Sequence, residues 1–388
     1  MNIETGPLHS LVFAEFFAGI GLMRMGLEQQ GWRISYANDI DPVKEKIYRN
    51  HFRDVTNHFV LEDIHRIAGD GIPAVHLATA SFPCTDLSLA GRRDGLAGKQ
   101  SSAFWGFIRV LAEMKGRRPP LILLENVEGF LSSHNGEDFR QALLAINELG
   151  YSVDAFIIDA ARFVPQSRVR LFIVGRKRTG LEVKEKQLMV YQSELRPAKL
   201  AAFIFQHPEI DWDIRDLPAL PRRSTTLADI VKELSDDSEE WWNEERTTYL
   251  LAQTFDRHRV LLESARNQSK LTYFTAFRRM RNGRSMAEIR SDGIAGCLRT
   301  AKGGSARQIL IQAGFGQIKV RLLSPAECAK LMGAEGYKIG GSINEALFGF
   351  GDAVCVPVVS WIAANYLNPV IENELTPSYG YQSSALGI

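Results

Sequence analysis

Cysteines, long apolar runs and a dominant charge sign are all scarce in this 388-residue sequence, and each shortage excludes a class of protein. The four cysteines, Cys84, Cys297, Cys328 and Cys355, form no C-x-x-C pair, which argues against a zinc site or a disulfide framework. No window holds 18 uninterrupted apolar residues, and MNIETGPLHS lacks the parts of a signal peptide. We therefore expect a soluble, cytoplasmic protein with no membrane partner and no bound metal.

The net charge of +1 at pH 7 also excludes a uniformly basic surface of the kind that binds polyanions. One segment departs from this balance, since residues 257–307 hold twelve Lys or Arg and only three Asp or Glu. A solvated helix usually mixes both signs. The segment is therefore a candidate nucleic-acid surface, with an ordinary solvated basic surface as the alternative. The acidic stretch 236–245 is predicted to be a solvated face.

Short apolar runs alternate with amphipathic segments of helical length from residue 11 onward. Strands are predicted over 11–17, 32–39, 75–82, 121–126, 151–160 and 170–175, and helices over 22–31, 42–52, 104–115 and 138–150. This alternation predicts an α/β fold with a mostly parallel sheet and helices on both faces. After about residue 180 the periodicity is poor, which predicts a smaller, irregular domain. A Ser-Pro helix start follows at 324–325, and 351–367 is predicted to be a turn and a buried helix.

The first predicted strand ends in the glycines of EFFAGIG (15–21) before a helix. Gly19 and Gly21 would let the backbone approach a ligand, although a tight strand-helix turn has the same pattern. The next strand ends in Asp39, about 20 residues on, where a carboxylate can accept from ribose hydroxyls. The spacing suits NAD, FAD and S-adenosylmethionine alike, but a full G-x-G-x-x-G is absent. Asp63 and Ile64 are a third candidate contact, with a solvated loop as the alternative.

Reactive side chains follow the later strands. Cys84 comes directly after Pro83 and is either a nucleophile or an inert thiol. Glu125 ends the apolar run LILLEN, where burial favours a protonated carboxyl, unless a cation pairs with it. Arg168 and Arg170 lie on one side of an extended segment and suit a carboxylate, a phosphate or a pyrimidine carbonyl, or form a solvated edge.

Six motifs, FAEFFAGIG, ASFPCTDLS, LLENVEGF, QSRVR, RLLSPAECAKLMG and GDAVCVPVV, occur in the order and spacing of the cytosine-C5 DNA methyltransferase family. The chain resembles that family over roughly residues 11–178 and 320–366. The resemblance implies the class I methyltransferase fold with its Rossmann-like sheet, in a bacterial type II-like modification enzyme. It also implies S-adenosylmethionine as methyl donor, with S-adenosylhomocysteine as product.

The resemblance further implies roles for individual residues. Cys84 would add to C6 of the cytosine, Glu125 would act at N3, and Arg168 and Arg170 would hold the cytosine carbonyl and orient the glutamate. The donor site would comprise Phe17, Ala18, Gly19, Ile20, Gly21, Asp39, Ile40, Asp63, Ile64, Pro83, Asp352 and Val354. Attack from both faces of the ring requires the target base to be flipped out of the duplex.

By the same resemblance, three domain segments are expected. Residues 1–184 would form the catalytic and donor-binding domain, 185–315 the target-recognition domain, and 316–388 the return to the catalytic domain. The expected partner is double-stranded DNA, bound by a monomer. Whether a restriction nuclease, another defence system or no partner accompanies the enzyme stays open. The DNA contacts expected in the basic segment are Arg278, Arg279, Arg281, Arg284, Arg299, Lys302 and Arg307.

Three positions depart from the family pattern. Thr85 follows Pro83-Cys84 where glutamine is usual, Asp352 replaces the asparagine of a GN turn, and Ala103 replaces a larger apolar residue. None of these removes a reacting group, so we expect an active enzyme. The alternatives are a transfer-RNA cytosine-C5 methyltransferase of the same fold, a catalytically silent DNA-binding protein, and a nicotinamide dehydrogenase.

Overall fold

The computed structural model describes residues 11–54, 58–83, 102–178, 192–300, 307–340 and 342–375. Within these residues, seven strands form the main sheet in the order β3-β2-β1-β4-β5-β7-β6. Its strands are Leu11–Phe16 (β1), Trp32–Asp39 (β2), Phe59–Leu61 (β3), Leu77–Ala80 (β4), Leu121–Val127 (β5), Tyr151–Asp159 (β6) and Val169–Lys177 (β7). The first five are parallel, whereas β7 runs antiparallel to both β5 and β6. The predicted α/β fold with a mostly parallel sheet is confirmed.

Helices cover both faces of this sheet because its central strands are apolar on both sides. The helices are Leu22–Glu28 (α1), Pro42–His51 (α2), Ser102–Glu113 (α3), Glu137–Glu148 (α4) and Ala198–Gln206 (α5). One buried cluster contains α1 residues and the C-terminal helices, and the other contains residues of α3, α4 and α5. The helix α2 begins at Pro42, and Asp41 caps it by accepting from the N–H of Val43.

The chain beyond residue 192 first stays with the main sheet. Helix α5 packs in the second cluster, and Trp212 forms a parallel bridge to Val153 of β6. Arg196 donates to both carboxylate oxygens of Asp154 at 2.8 and 2.9 Å, and both side chains are buried. The segments on either side of α5 therefore pack against the main sheet.

A second sheet forms within the region for which the sequence shows poor periodicity. Its strands are Thr272–Arg281 (β8), Arg284–Arg290 (β9), Ile309–Gly314 (β10) and Gln317–Leu322 (β11), in the antiparallel order β11-β10-β8-β9. Helices Leu227–Ile230 (α6), Glu244–Ala252 (α7) and Asp256–Arg266 (α8) accompany it. A third buried cluster, which includes Leu250, Leu262 and Phe274, forms its core. In the acidic stretch 236–245 the carboxylates are exposed, but Trp242 packs against this cluster.

The C-terminal segment returns to the main sheet. It contains Pro325–Leu331 (α9), Ile343–Asp352 (α10), Val356–Ile362 (α11), a π-helical turn, Asn368–Val370 (α12) and a second π-helical turn, Ile371–Leu375. Ser324 and Glu327 form a reciprocal cap at the predicted Ser-Pro start of α9. Residues Ile343–Asn373 are long and apolar enough to cross a membrane, but 61% of the most apolar window is buried in the fold. Such burial is typical of a core helix.

Candidate functional site

The turn after β1 is tied to the end of the neighbouring strand β2. Phe17, Gly19 and Gly21 all have positive φ, at 57°, 57° and 81°. The N–H of Gly19 donates to Oδ2 of Asp39 at 2.8 Å, and the N–H of Ala18 donates to a backbone oxygen of β2 at 2.9 Å. A Cβ at Gly21 would lie 2.5 Å from the Phe52 ring, so only glycine fits this turn. The predicted donor-site loop and the predicted ribose-binding carboxylate therefore meet.

Asp39 is a buried carboxylate held by backbone donors. Its Oδ1 accepts from the N–H of Asp41 at 2.9 Å. Burial raises the pKa of Asp39, while Lys44 and the N–H groups of Asp41 and Gly19 oppose that rise. The adjacent Ile40 is 63% exposed and offers an apolar surface beside the carboxylate.

The third predicted contact has a different arrangement. Asp63 accepts from the N–H of His65 at 2.9 Å and caps a short 3-10 turn. The Ile64 side chain is buried in the second cluster, and its carbonyl accepts from Arg109 at 2.9 Å. The Ile64 side chain thus packs in the core, although the sequence predicted Ile64 as a donor-site contact.

The C-terminal segment closes over the same turn. Tyr337 donates its hydroxyl proton to the carbonyl of Ile20 at 2.6 Å, and Gly349 lies against the Ile20 side chain. Val354 is buried in the first cluster. Asp352, the last residue of α10, pairs with Lys44 of α2 at 2.8 Å. Tyr337 and Lys44 were not found from the sequence, because no local pattern marks their long-range partners.

Glu125 lies at the carboxyl end of β5, on the edge of the sheet where β1 and β2 also end. It is 5% exposed, and its Oε1 lies 2.8 Å from Nε of Arg170 on β7. The pairing with a cation, one of the two alternatives at the sequence level, is therefore present. The neighbouring Asn126 donates to the carbonyl of Phe82 at 3.3 Å, which ties this strand end to the segment before Pro83.

The next residues along that segment, Cys84 and Thr85, lie outside the described residues. Pro83 is described and exposed. Ala103 packs against the second cluster near the start of α3. Within the described part, the strand end with Glu125 therefore adjoins the chain that leads directly into the predicted nucleophile.

Arg168 is 2% exposed, and its guanidinium joins three chain segments. Its Nη1 donates to the carbonyl of Leu298 and to Sγ of Cys297, at 3.0 and 3.4 Å. Its Nη2 donates to the carbonyls of Gly351 and Ala353, at 3.2 and 2.5 Å. These four contacts use all four Nη protons. Arg168 is thus arranged as a positioning group, and Arg170 is the arginine that contacts Glu125.

Cys297 is a second thiol near these arginines, and no motif in the sequence marks it. Burial raises the pKa of Cys297, but Arg168, Arg170 and Arg299 lower it more, so the pKa lies below its ordinary value. Its segment is fixed in place because Ser167 donates its N–H to the carbonyl of Ala295 at 3.0 Å. The end of the basic segment therefore lies against the predicted site residue Arg168.

The remaining predicted DNA contacts lie mostly on the β8–β9 hairpin. Arg279 and Arg281 both pair with Glu288, and Arg284 is exposed beside the tight turn. Arg278 lies 6.0 Å from the Tyr249 ring centroid. Beyond the hairpin, Arg299 is exposed, Arg307 donates to Asn344, and Lys302 falls outside the described residues.

A family model described as C-5 cytosine-specific DNA methylase matches residues 11–368, which confirms the resemblance. The chain is similar to type II methyltransferase M.HhaI of Haemophilus parahaemolyticus, at 26% identity over 94% of this chain and 97% of that protein. It is also similar to the DNA-cytosine methyltransferase of Escherichia coli K12, at 26% identity over 94% of this chain and 79% of that protein. The solved S. pombe Dnmt2 methyltransferase has the same fold, with a TM-score of 0.59, 18% identity and coverage of 93% and 98%.

Proposed function

Because the chain belongs to the C-5 cytosine-specific DNA methylase family and is thus a DNA cytosine-5 methyltransferase, we propose that it methylates a cytosine flipped out of a short duplex sequence. The observation that carries this proposal is the Glu125–Arg170 pair at the end of β5, beside the chain that leads into Cys84. The names of the type II relatives favour a modification role beside a restriction nuclease. We further propose that the enzyme acts as a cytoplasmic monomer.

The donor-site residues fit S-adenosylmethionine. The Asp39 carboxylate is positioned to accept from the ribose hydroxyls, and the backbone at Gly19 is open, since a Cβ there would meet only the Phe17 carbonyl oxygen at 4.0 Å. Exposed Ile40 offers an apolar surface to the adenine ring. When bound, S-adenosylmethionine supplies a methyl group on a positively charged sulfur.

In the proposed reaction the Cys84 sulfur forms a bond to C6 of the cytosine, and N3 takes up a proton through the Glu125 carboxyl, which Arg170 pairs with when it is ionised. The added electron density makes C5 the nucleophile that takes the methyl group. A water molecule then takes the C5 proton, the C6–sulfur bond breaks to release the Cys84 thiolate, and N3 returns its proton to Glu125. Arg170 keeps the Glu125 carboxyl in place throughout.

We propose that the duplex lies against the β8–β9 hairpin. The hairpin carries four of the predicted arginines, and Arg284 stands exposed beside its turn. A two-stranded ribbon of this kind fits a DNA groove, and arginine side chains can bind phosphates or guanine edges there.

Covalent trapping on duplex DNA that contains 5-fluorocytosine tests the nucleophile, because fluorine at C5 blocks the final elimination. We expect an adduct that depends on S-adenosylmethionine and maps to the peptide with Cys84, and no adduct from Cys84→Ala. The second thiol of the region, Cys297, serves as the internal control. An adduct at Cys297, or none in the wild type, would contradict the assignment.

Methyl transfer from labelled S-adenosylmethionine to plasmid DNA and to transfer RNA tests the substrate. We expect labelled DNA, with bisulfite sequencing placing the mark at one cytosine of a recurring sequence. Methylation of transfer RNA without DNA methylation would favour the RNA-acting alternative.

A further inference from the structure

An ion pair spans two elements that border the donor site. Lys44 lies in the first turn of α2, directly after the segment with Asp39, and Asp352 ends α10. The Lys44 ammonium lies 2.8 Å from Oδ2 of Asp352. The Lys44 side chain is 21% exposed and that of Asp352 46%, so the lysine is the more enclosed partner. Helices α2 and α10 pack beside each other at this point.

Lys44 faces three carboxylates. Burial lowers the pKa of Lys44, but Asp352, Asp39 and Asp41 together raise it above its ordinary value. The same ammonium opposes the rise that burial causes in the pKa of Asp39. Lys44 is therefore the counter-ion of the carboxylate at the end of α10, and it lies in the helix that directly follows the strand end with Asp39.

Asp352 stands where the resemblance expects an asparagine. A carboxylate keeps the acceptor oxygen of asparagine, but it loses the amide donor and adds a negative charge. The Lys44 ammonium supplies a donor at hydrogen-bond distance and cancels that charge. The departure at Asp352 is thus compensated within the chain.

We propose that Lys44 is a positioning residue of the donor site, which forms a matched pair with Asp352 and holds α2 and α10 together beside the Gly19–Asp39 turn. This inference rests on the proposed function, since it assumes that S-adenosylmethionine binds at that turn. Without Lys44, the Asp352 carboxylate would be left unpaired between the two helices.

A double-mutant cycle on the full chain tests the proposal, with calorimetric titration of S-adenosylhomocysteine as the readout. We expect Lys44→Gln to weaken binding about tenfold, because it leaves the Asp352 carboxylate unpaired at the border of the site. Asp352→Asn should stay within about threefold of wild type, since asparagine keeps an acceptor oxygen for the Lys44 ammonium. The double variant should also recover to within about threefold of wild type, because the added charge and its counter-ion leave together.

Lys46→Gln is the matched control, because it removes the same charge from an exposed position on the same helix. It should bind like wild type, and melting without ligand should be similar for all variants. In turnover, Lys44→Gln should raise KM for S-adenosylmethionine with little change in kcat.

Three results would overturn the proposal: normal binding by Lys44→Gln, a double variant as weak as Lys44→Gln, or a loss confined to kcat. A wild-type chain that binds no S-adenosylhomocysteine would overturn the proposed function together with this inference. If the wild type binds and the two substitutions act additively, only the role of Lys44 fails.

Discussion

At the scale of single residues, two arginines of one motif have different surroundings. Arg168 donates to carbonyls of the segments around residues 298 and 352, whereas Arg170 contacts Glu125. The motif QSRVR cannot distinguish the two arginines. It shows their spacing, but it does not show which residues from distant parts of the chain contact each of them. The same limit concealed Cys297 and Lys44, whose partners lie on other elements.

Substitutions of the two arginines should have different effects on stability and on catalysis. Arg168→Met leaves buried carbonyls without donors, so we expect the free energy of unfolding to fall by about 2–5 kcal/mol. Arg170→Met should lower kcat, because Glu125 loses the group that orients it. Its free energy of unfolding should fall less than that of Arg168→Met. Urea unfolding and single-turnover methylation, measured on both variants, check this. If both substitutions lowered the free energy of unfolding equally, the two arginines would not have these different roles.

At the scale of elements, the sequence predicted the main sheet far better than the second one. Strand β2 was predicted at its observed bounds, Trp32–Asp39, because a glycine precedes it and a proline-started helix follows. The strands β8 to β11 were not predicted. In β8 and β9 few positions are buried and several others carry arginines, so neither a continuous apolar run nor a clear alternation marks them. Strand β10 is mostly buried, but it is only six residues long.

The start of α9 depends on a buried ion pair. Arg321 of β11 contacts both carboxylate oxygens of Glu327, and both side chains are almost fully buried. Burial alone would raise the pKa of Glu327, but hydrogen bonds from Arg321, Ser324 and Lys232 lower it below its usual value. The pair therefore joins the second sheet to the C-terminal return.

Replacing Glu327 with Gln should lower the free energy of unfolding by about 3–5 kcal/mol, because Arg321 would remain as an unpaired buried charge. The wild-type contribution is fully present above the unfolded-state pKa of about 4.3 and is lost as pH falls through the lower folded-state value. Urea unfolding between pH 7 and pH 3 should show this loss in the wild type and less of it in the variant. A variant with unchanged stability and pH dependence would show that the pair contributes nothing.

At the scale of the whole molecule, a near-neutral chain contains one strongly basic region. We expect duplex affinity to fall steeply with salt, since each phosphate contact releases a condensed counter-ion. Arg284→Ala should reduce the log–log salt slope by about one, while Lys199→Ala, an exposed substitution on α5, should leave it unchanged. Fluorescence anisotropy with a non-specific duplex measures both slopes. A salt-independent affinity would place the DNA elsewhere.

The two ends of the described chain also lock together in the main domain. Trp32 donates to Asn368 at 2.7 Å, Gln30 donates to Ser360 at 2.8 Å, and Tyr337 donates to Ile20. The ribosome makes the glycine turn long before it makes these late partners. A nascent chain therefore cannot complete these contacts of the proposed donor site until residue 368 has left the ribosomal exit tunnel.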